Sequence, residues 1–170
     1  ASSMSFTDRR SLLLLLAGLP LSACGFRPAY GPGGGAEGLR GAVRVDDPAD
    51  RNGFDFVDAF EDRLGRPDAP RWGLSFRIET KTQGVALTTD NATTRYHLSG
   101  KMGYAVRDLA TGRQVHTGSA SGFTAFSALG PTVSERAAER EATRRLMESL
   151  ADQVVIQLTA TYADCVAGGR

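Results

Sequence analysis

The chain has 170 residues with 41 % hydrophobic and 23 % charged side chains, which fits one globular domain and leaves little room for two. Its formal net charge is +1 and its charges are mixed along the chain, so nothing favours nucleic-acid binding, which usually concentrates lysine and arginine. With two cysteines, two histidines, no CxxC, HExxH, GxxxxGK[ST] or GxSxG motif, and no GxGxxG between a strand and a helix, the sequence indicates no metal, cofactor, nucleotide or hydrolase site.

The first segment of the chain has the pattern of an export signal. Arg9 and Arg10 precede the apolar run SLLLLLAGLPLSA (11–23), which ends in small residues. A basic start, an apolar stretch of about 7–15 residues and small residues at its end are typical of a secretory signal peptide. The run is shorter than the roughly 20 apolar residues of a membrane-spanning helix. We therefore predict a signal peptide over 1–23, with the general secretory and twin-arginine routes both open.

Cys24 follows this signal directly, in the tetrapeptide Leu-Ser-Ala-Cys. That ending is similar to the lipobox of bacterial lipoproteins, which implies a diacylglyceryl group on Cys24 and cleavage before it. A plain cleaved signal with an incidental cysteine is the alternative. The glycine-rich stretch that follows predicts a flexible tether over 24–40. Cys165 would then lack a partner, and we interpret it as an incidental free thiol.

The folded part is expected to begin with a short strand and a short helix. Val43 and Val45 alternate in GAVRVDD (41–47), as in a strand with one buried side. Asp50 or Asn52 can cap a helix over the segment FDFVDAFEDRLG (54–65), where apolar residues recur at helical spacing. Gly65 ends this helix.

Three strands are predicted next, each with a period of two. RWGLSFRIETK (71–81) and TTRYHLSGKMGYAVRD (93–108) place apolar side chains on one face and polar ones on the other. The Thr-Gly pair in LATGRQ (109–114) indicates a turn, and VHTGSASGFTAF (115–126) returns as a strand of small residues. One apolar and one polar face is typical of an antiparallel sheet that is covered on one side.

A long helix is predicted after the last strand. Thr132 and Glu135 form a capping box, and apolar residues from Ala138 to Leu158 step along one face. The fold class is therefore α+β: a two-layer sandwich with a four-stranded, mostly antiparallel sheet and two helices on one face. We expect a single domain over 41–163 and a disordered tail over 164–170.

The segments LSACGFRP (21–28), TTRYHLSGKMGYAVRDLATGRQVHTGSASGFTAFS (93–127) and SERAAEREATRRLMESLADQVVIQL (134–158) resemble the LPS-assembly lipoprotein family LptE. The resemblance implies a non-enzymatic protein on the periplasmic side of the outer membrane, anchored by the lipid on Cys24. It implies two partners, the outer-membrane β-barrel LptD, whose lumen the protein plugs, and lipopolysaccharide, whose transport to the cell surface it assists. Gly25 after the cysteine agrees with outer-membrane sorting.

The cations that the family resemblance leads one to expect are partly missing. Members carry basic residues between the second and third strands and before the last helix, yet TQGVALTTDNATT (82–94) and SALGPTVSE (127–135) contain no lysine or arginine. The nearest candidates for contact with lipopolysaccharide phosphates are Arg95, Lys101 and Arg136. A solvated polar face explains the same residues.

Two other classes of function are alternatives to this interpretation. An enzyme is disfavoured because neither His97 nor His116 has an assignable partner and no pair of carboxylates stands out. A different periplasmic lipoprotein of this fold, such as a pilotin-like chaperone or a small-ligand carrier, is the main alternative. A carrier would need a closed apolar cavity, whereas the small polar residues of 115–122 favour a plug.

Overall fold

The computed structural model describes residues 38–87, 93–128 and 132–168, and their elements follow the expected order. Strand β1 spans Val43–Val45, helix α1 Arg51–Leu64, strand β2 Trp72–Leu87, strand β3 Thr93–Asp108, strand β4 Gln114–Ser127 and helix α2 Thr132–Gly168. The four strands form one sheet in the order β1-β2-β3-β4. β1 runs parallel to β2, while β2–β3 and β3–β4 are antiparallel. The predicted α+β fold with a mostly antiparallel sheet is confirmed.

The period of two in the sequence sets the two faces of the sheet. In β3 the even-numbered residues Leu98, Met102, Tyr104 and Val106 are buried against the helices, with exposures of 4 % or less. The odd-numbered residues of this strand point to the other side. Because side chains alternate along a strand, this apolar set fixes which side chains of β3 face the helices.

Helix α1 is bounded by the local signals expected from the sequence. The Asp50 carboxylate accepts a 2.7 Å hydrogen bond from the Gly53 amide, so Asp50, and not Asn52, is the N-cap. Gly65 ends the helix with a φ of 81°, a conformation that glycine adopts without steric cost. The helix buries Phe56 and Phe60, and the Phe56 ring lies 4.9 Å from that of Phe76 on β2.

Helix α2 supplies much of the core. Leu146, Leu150, Val154 and Leu158 lie one turn apart and have exposures of 0–3 %. Full burial of a leucine or valine side chain contributes roughly 1.5–3 kcal/mol, so this row is a large part of the apolar burial that stabilises the domain. The two helices also contact each other, and Arg63 of α1 forms an ion pair with Asp152 of α2.

The outer edge of β4 is covered by side chains of α2. Gln153 accepts a hydrogen bond from the Ser121 amide at 3.3 Å and donates to the Ser121 carbonyl at 3.0 Å. Gln157 donates to the Ser119 carbonyl at 3.0 Å. The glutamine amides thus take the place of a neighbouring strand, which blocks pairing with another chain at this edge.

The boundaries of the domain differ slightly from those expected. Leu39 is 5 % exposed and belongs to the core, so residues 38–40 of the predicted tether are part of the fold, because this leucine packs with the apolar core residues. The backbone of α2 reaches Gly168, into the segment predicted as a tail, and the division at residue 163 stays a prediction. Within the described ranges, neither helix has the length and apolarity needed to cross a membrane.

Candidate functional site: the outer face of the sheet

The surface of the sheet that faces away from both helices is the candidate site, and we call it the outer face. Its residues follow from the strand register, which places Glu79 opposite Lys101 and Ser99 opposite Phe123. Most of its side chains are exposed, and Gly103 at its centre has no atom within 4 Å of where a Cβ would stand. The outer face is therefore open to a partner or ligand.

The outer face carries mostly positive charge. Its carboxylates are Glu79 and, at the β1 end, Asp46. Its lysines and arginines outnumber these and come from the first three strands: Arg44, Arg77, Lys81, Arg95, Lys101 and Arg107. By contrast, residues 47–62, which include most of α1 on the other side of the domain, contain six acidic side chains and one basic one. A chain that is almost neutral overall therefore has a basic face and an acidic side.

Among the described residues, Arg107 is the one of these cations that has a carboxylate partner. Arg107 contacts the Asp46 carboxylate through both terminal nitrogens, at 2.5 and 3.2 Å. This hydrogen bonding raises the pKa of Arg107 above its ordinary value, so the pair stays charged. In the described ranges no carboxylate lies within 4.0 Å of Arg77, Lys81 or Lys101, whereas cations on the helices, such as Arg51 and Arg144, are ion-paired.

The sequence-predicted contact residues are only partly brought together. Arg95 and Lys101 lie on the outer face of β3, six residues apart, which is about 20 Å along a strand. Arg136 is exposed in the second turn of α2, on the helix layer. The end of β3 that holds Arg95 shares a shallow surface depression with Ala138 and Arg145 of α2. Arg136 is thus near the Arg95 end of the molecule but outside the outer face.

Cys24, the predicted lipidation site, lies outside the described residues, and so does the signal segment. The two histidines are on opposite faces of the sheet. The His97 ring lies 6.4 Å from that of Phe123 on the outer face, while His116 faces Tyr104 on the inner side. Among residues 38–87, 93–128 and 132–168, no group of three or more His, Cys, Asp or Glu side chains could hold a metal ion.

Sequence reasoning missed three residues of the outer face. Arg77 and Lys81 are as exposed as Lys101, and Phe123 is 78 % exposed in the middle of β4. The signal was present for the two cations, because odd-numbered positions of β2 alternate with its apolar ones. Their proximity to Lys101 depends on the β2–β3 register, which a single sequence does not specify.

Comparison with known proteins gives one family match. The model of the lipopolysaccharide-assembly family LptE matches residues 41–158. No curated protein sequence matches the chain.

Several solved lipoprotein structures share the fold. A candidate lipoprotein from Caulobacter crescentus CB15 is similar at 16 % identity with a TM-score of 0.64, over 76 % of this chain and 96 % of that one. Rare lipoprotein B from Shewanella oneidensis is 11 % identical with a TM-score of 0.56, over 72 % of this chain and 96 % of that one. The minor lipoprotein from Acinetobacter baumannii is 13 % identical with a TM-score of 0.53, over 71 % of this chain and 90 % of that one. Identities this low establish the shared fold alone.

Proposed function

We propose a function from one premise: the chain belongs to the lipopolysaccharide-assembly family LptE, whose model matches residues 41–158. On this premise the protein sits in the lumen of the outer-membrane β-barrel LptD, helps that barrel to assemble and assists the delivery of lipopolysaccharide to the cell surface. The family match carries it, because the matched residues include the whole sheet, α1 and the buried row of α2.

The outer face suits the interior of a barrel. Outer-membrane barrels are polar inside, so a protein that fills one must present polar surface and can leave one sheet face without a covering layer. The outer face has that character, with serine, threonine and basic side chains and one exposed aromatic residue. This supports a position of the domain inside the barrel.

The predicted lipid on Cys24 would hold the domain at the periplasmic side of the outer membrane. The backbone of Gly38 lies against the ring of Tyr162, so the chain enters the fold beside the last described turns of α2. From Cys24 to Gly38 the chain can extend at most about 50 Å. Arg95 lies at the opposite end of the sheet, about 40 Å along β3 from Arg107. The anchor would therefore leave the Arg95 end free to reach into the barrel.

Contact with lipopolysaccharide is proposed for Arg95, Lys101 and Arg136. Phosphate groups accept charge-assisted hydrogen bonds from lysine and arginine, which are stronger than hydrogen bonds between neutral groups. All three side chains are exposed.

Depletion and complementation in the host bacterium test the proposal. Depletion should lower the amount of folded LptD and of lipopolysaccharide labelled on intact cells, and wild-type protein should restore both. The variant Cys24→Ala should be released from the membrane fraction when the barrel is absent. Normal barrel assembly and normal surface lipopolysaccharide after depletion would exclude the proposed function, and membrane retention of Cys24→Ala without a partner would exclude the lipid anchor.

A further inference from the structure

Three cations of the outer face surround a single carboxylate. Arg77 and Lys81 flank Glu79 along β2, each at about 7 Å, the spacing of side chains on the same face of a strand. Lys101 stands directly opposite Glu79 on β3, at a cross-strand spacing of about 5 Å. One carboxylate cannot neutralise three cations, so this cluster, which we call the β2–β3 basic cluster, keeps a net positive charge.

The cluster lies beside Phe123, a large exposed apolar side chain of the outer face. Phe123 is 78 % exposed and pairs with Ser99, which in turn pairs with Lys81. Phe123 therefore lies two strands away from Lys81. It is diagonal to Lys101, which is two residues along β3 from Ser99. Cations and exposed apolar surface meet here within a few side-chain lengths.

The basic residues of this region are on the strands and not in the loop. From Thr82 to Thr94 the chain contains no lysine or arginine, and its single charge is Asp90. Any electrostatic attraction for an anion near the β2–β3 hairpin must therefore come from the strand residues.

We propose that the β2–β3 basic cluster, with Phe123 beside it, binds the phosphate groups of an amphiphilic glycolipid, so that the lipid site of this protein lies on the open sheet. This inference rests on the proposed function and assigns its ligand contact to Arg77 and Lys81 in addition to Lys101. Because the outer face is open, its side chains can contact a phosphate group without enclosing it in a pocket.

Glu79 has a defined role in this site. Its negative charge opposes a phosphate bound by the three neighbouring cations, and like charges at this distance weaken binding. A protein that passes its ligand on to the next site needs an affinity low enough for release. Glu79 therefore limits how tightly the cluster holds the lipid.

The exposed ring of Phe123 favours a lipid over an acidic protein surface as the ligand of this site. An acidic protein surface would interact with the cations alone, whereas an amphiphile has apolar groups next to its phosphates that can also contact Phe123. The position of an exposed aromatic side chain within reach of the cluster favours the amphiphile.

The direct test measures binding of lipopolysaccharide to the full chain. The protein is held in a neutral detergent, immobilised through a C-terminal tag, and titrated with lipopolysaccharide dispersed in the same detergent. The triple variant Arg77→Gln, Lys81→Gln, Lys101→Gln should bind at least tenfold more weakly. The control Arg51→Gln, Arg66→Gln, Arg140→Gln removes the same charge from exposed helix and loop positions and should stay within twofold of wild type.

Two further measurements sharpen the result. Glu79→Gln should bind severalfold more tightly, an effect that a merely structural role for this carboxylate would not produce. Dephosphorylated lipopolysaccharide should bind the wild type as weakly as intact lipopolysaccharide binds the triple variant. Competition by inorganic phosphate at the same phosphate concentration would indicate a simple anion site and overturn the proposal.

Other outcomes would also overturn it. Equal losses in the two triple variants would show that only total charge matters. Unchanged lipopolysaccharide binding with loss of co-purified LptD would assign the cluster to an acidic protein wall. In either case wild-type protein would still co-purify with the barrel, whereas failure of the proposed function itself would show as wild-type protein without a barrel.

Discussion

One tight contact between two strands of the sheet gives a sharp test of the packing. On the inner face the Tyr104 ring of β3 lies directly over Gly118 of β4, and a Cβ added at residue 118 would overlap ring atoms of Tyr104. The ring cannot simply move away, because it is 4 % exposed and its hydroxyl donates a 2.7 Å hydrogen bond to Gln157. Gly118→Ala should therefore strain the core.

The size of the effect follows from two contributions. Overpacking of a well-packed core costs about 1–3 kcal/mol, and loss of the Tyr104–Gln157 hydrogen bond adds about 0.5–1.5 kcal/mol, so Gly118→Ala should lower the free energy of unfolding by about 2–4 kcal/mol. Gly103→Ala is the matched control, because a Cβ at residue 103 on the outer face meets nothing within 4 Å. It should be neutral, or stabilising by up to about 1 kcal/mol through reduced entropy of the unfolded chain.

Urea unfolding measures both variants. Trp72 is the only tryptophan and is 1 % exposed, so its fluorescence reports loss of the core. In a Tyr104→Ala background the cost of Gly118→Ala should largely vanish, because the clashing ring is gone. Equal stabilities for Gly118→Ala and Gly103→Ala, or an unchanged cost without the ring, would refute this account of the packing.

Three further predictions concern the core, the covered edge and the β3–β4 turn. Leu150→Ala removes a fully buried side chain and should cost about 2–5 kcal/mol in the same unfolding assay, whereas Ile156→Ala on the exposed side of α2 should cost little. Gln153→Ala uncovers the β4 edge at Ser121, so light scattering should show association that increases with protein concentration; a strictly monomeric variant would contradict the edge-covering role. The Asp108 carboxylate accepts hydrogen bonds from the amides of Thr111 and Ala110, and the bond from Thr111 is the main cause of the lowered pKa of Asp108. The ionised carboxylate therefore adds stability above about pH 4, and this stability is lost as the pH falls through the lower folded-state pKa. Between pH 7 and pH 2 the wild type should lose more unfolding free energy than Asp108→Asn, and equal losses would argue against the turn hydrogen bonds.

The strands and helices were predictable because their signals are local. β3 was predicted over residues 93–108, the bounds that the structure has, since its apolar and polar residues alternate without interruption. Helix α1 carries its N-cap and its terminating glycine in the adjoining sequence. β2 extends six residues beyond the predicted end at Lys81, because TQGVAL lacks the alternation but pairs with β3 across the hairpin.

What depends on contacts between distant residues was not predictable. The Gln153 and Gln157 amides meet β4 only once the helix packs on the sheet. The composition does not reveal the basic outer face, because an acidic segment around α1 offsets its charge and leaves a net charge of +1. Arg95 and Lys101 are the cations nearest a loop without lysine or arginine, whereas the register of β2 against β3 is what places Arg77 and Lys81 beside Lys101.

The most direct test of the proposed function is extraction of the native lipoprotein in mild detergent, followed by identification of whatever co-purifies in a one-to-one ratio. The account predicts the large outer-membrane β-barrel LptD. Recovery of the protein alone, with a secretin or with a soluble small ligand would contradict it, although the fold would stand.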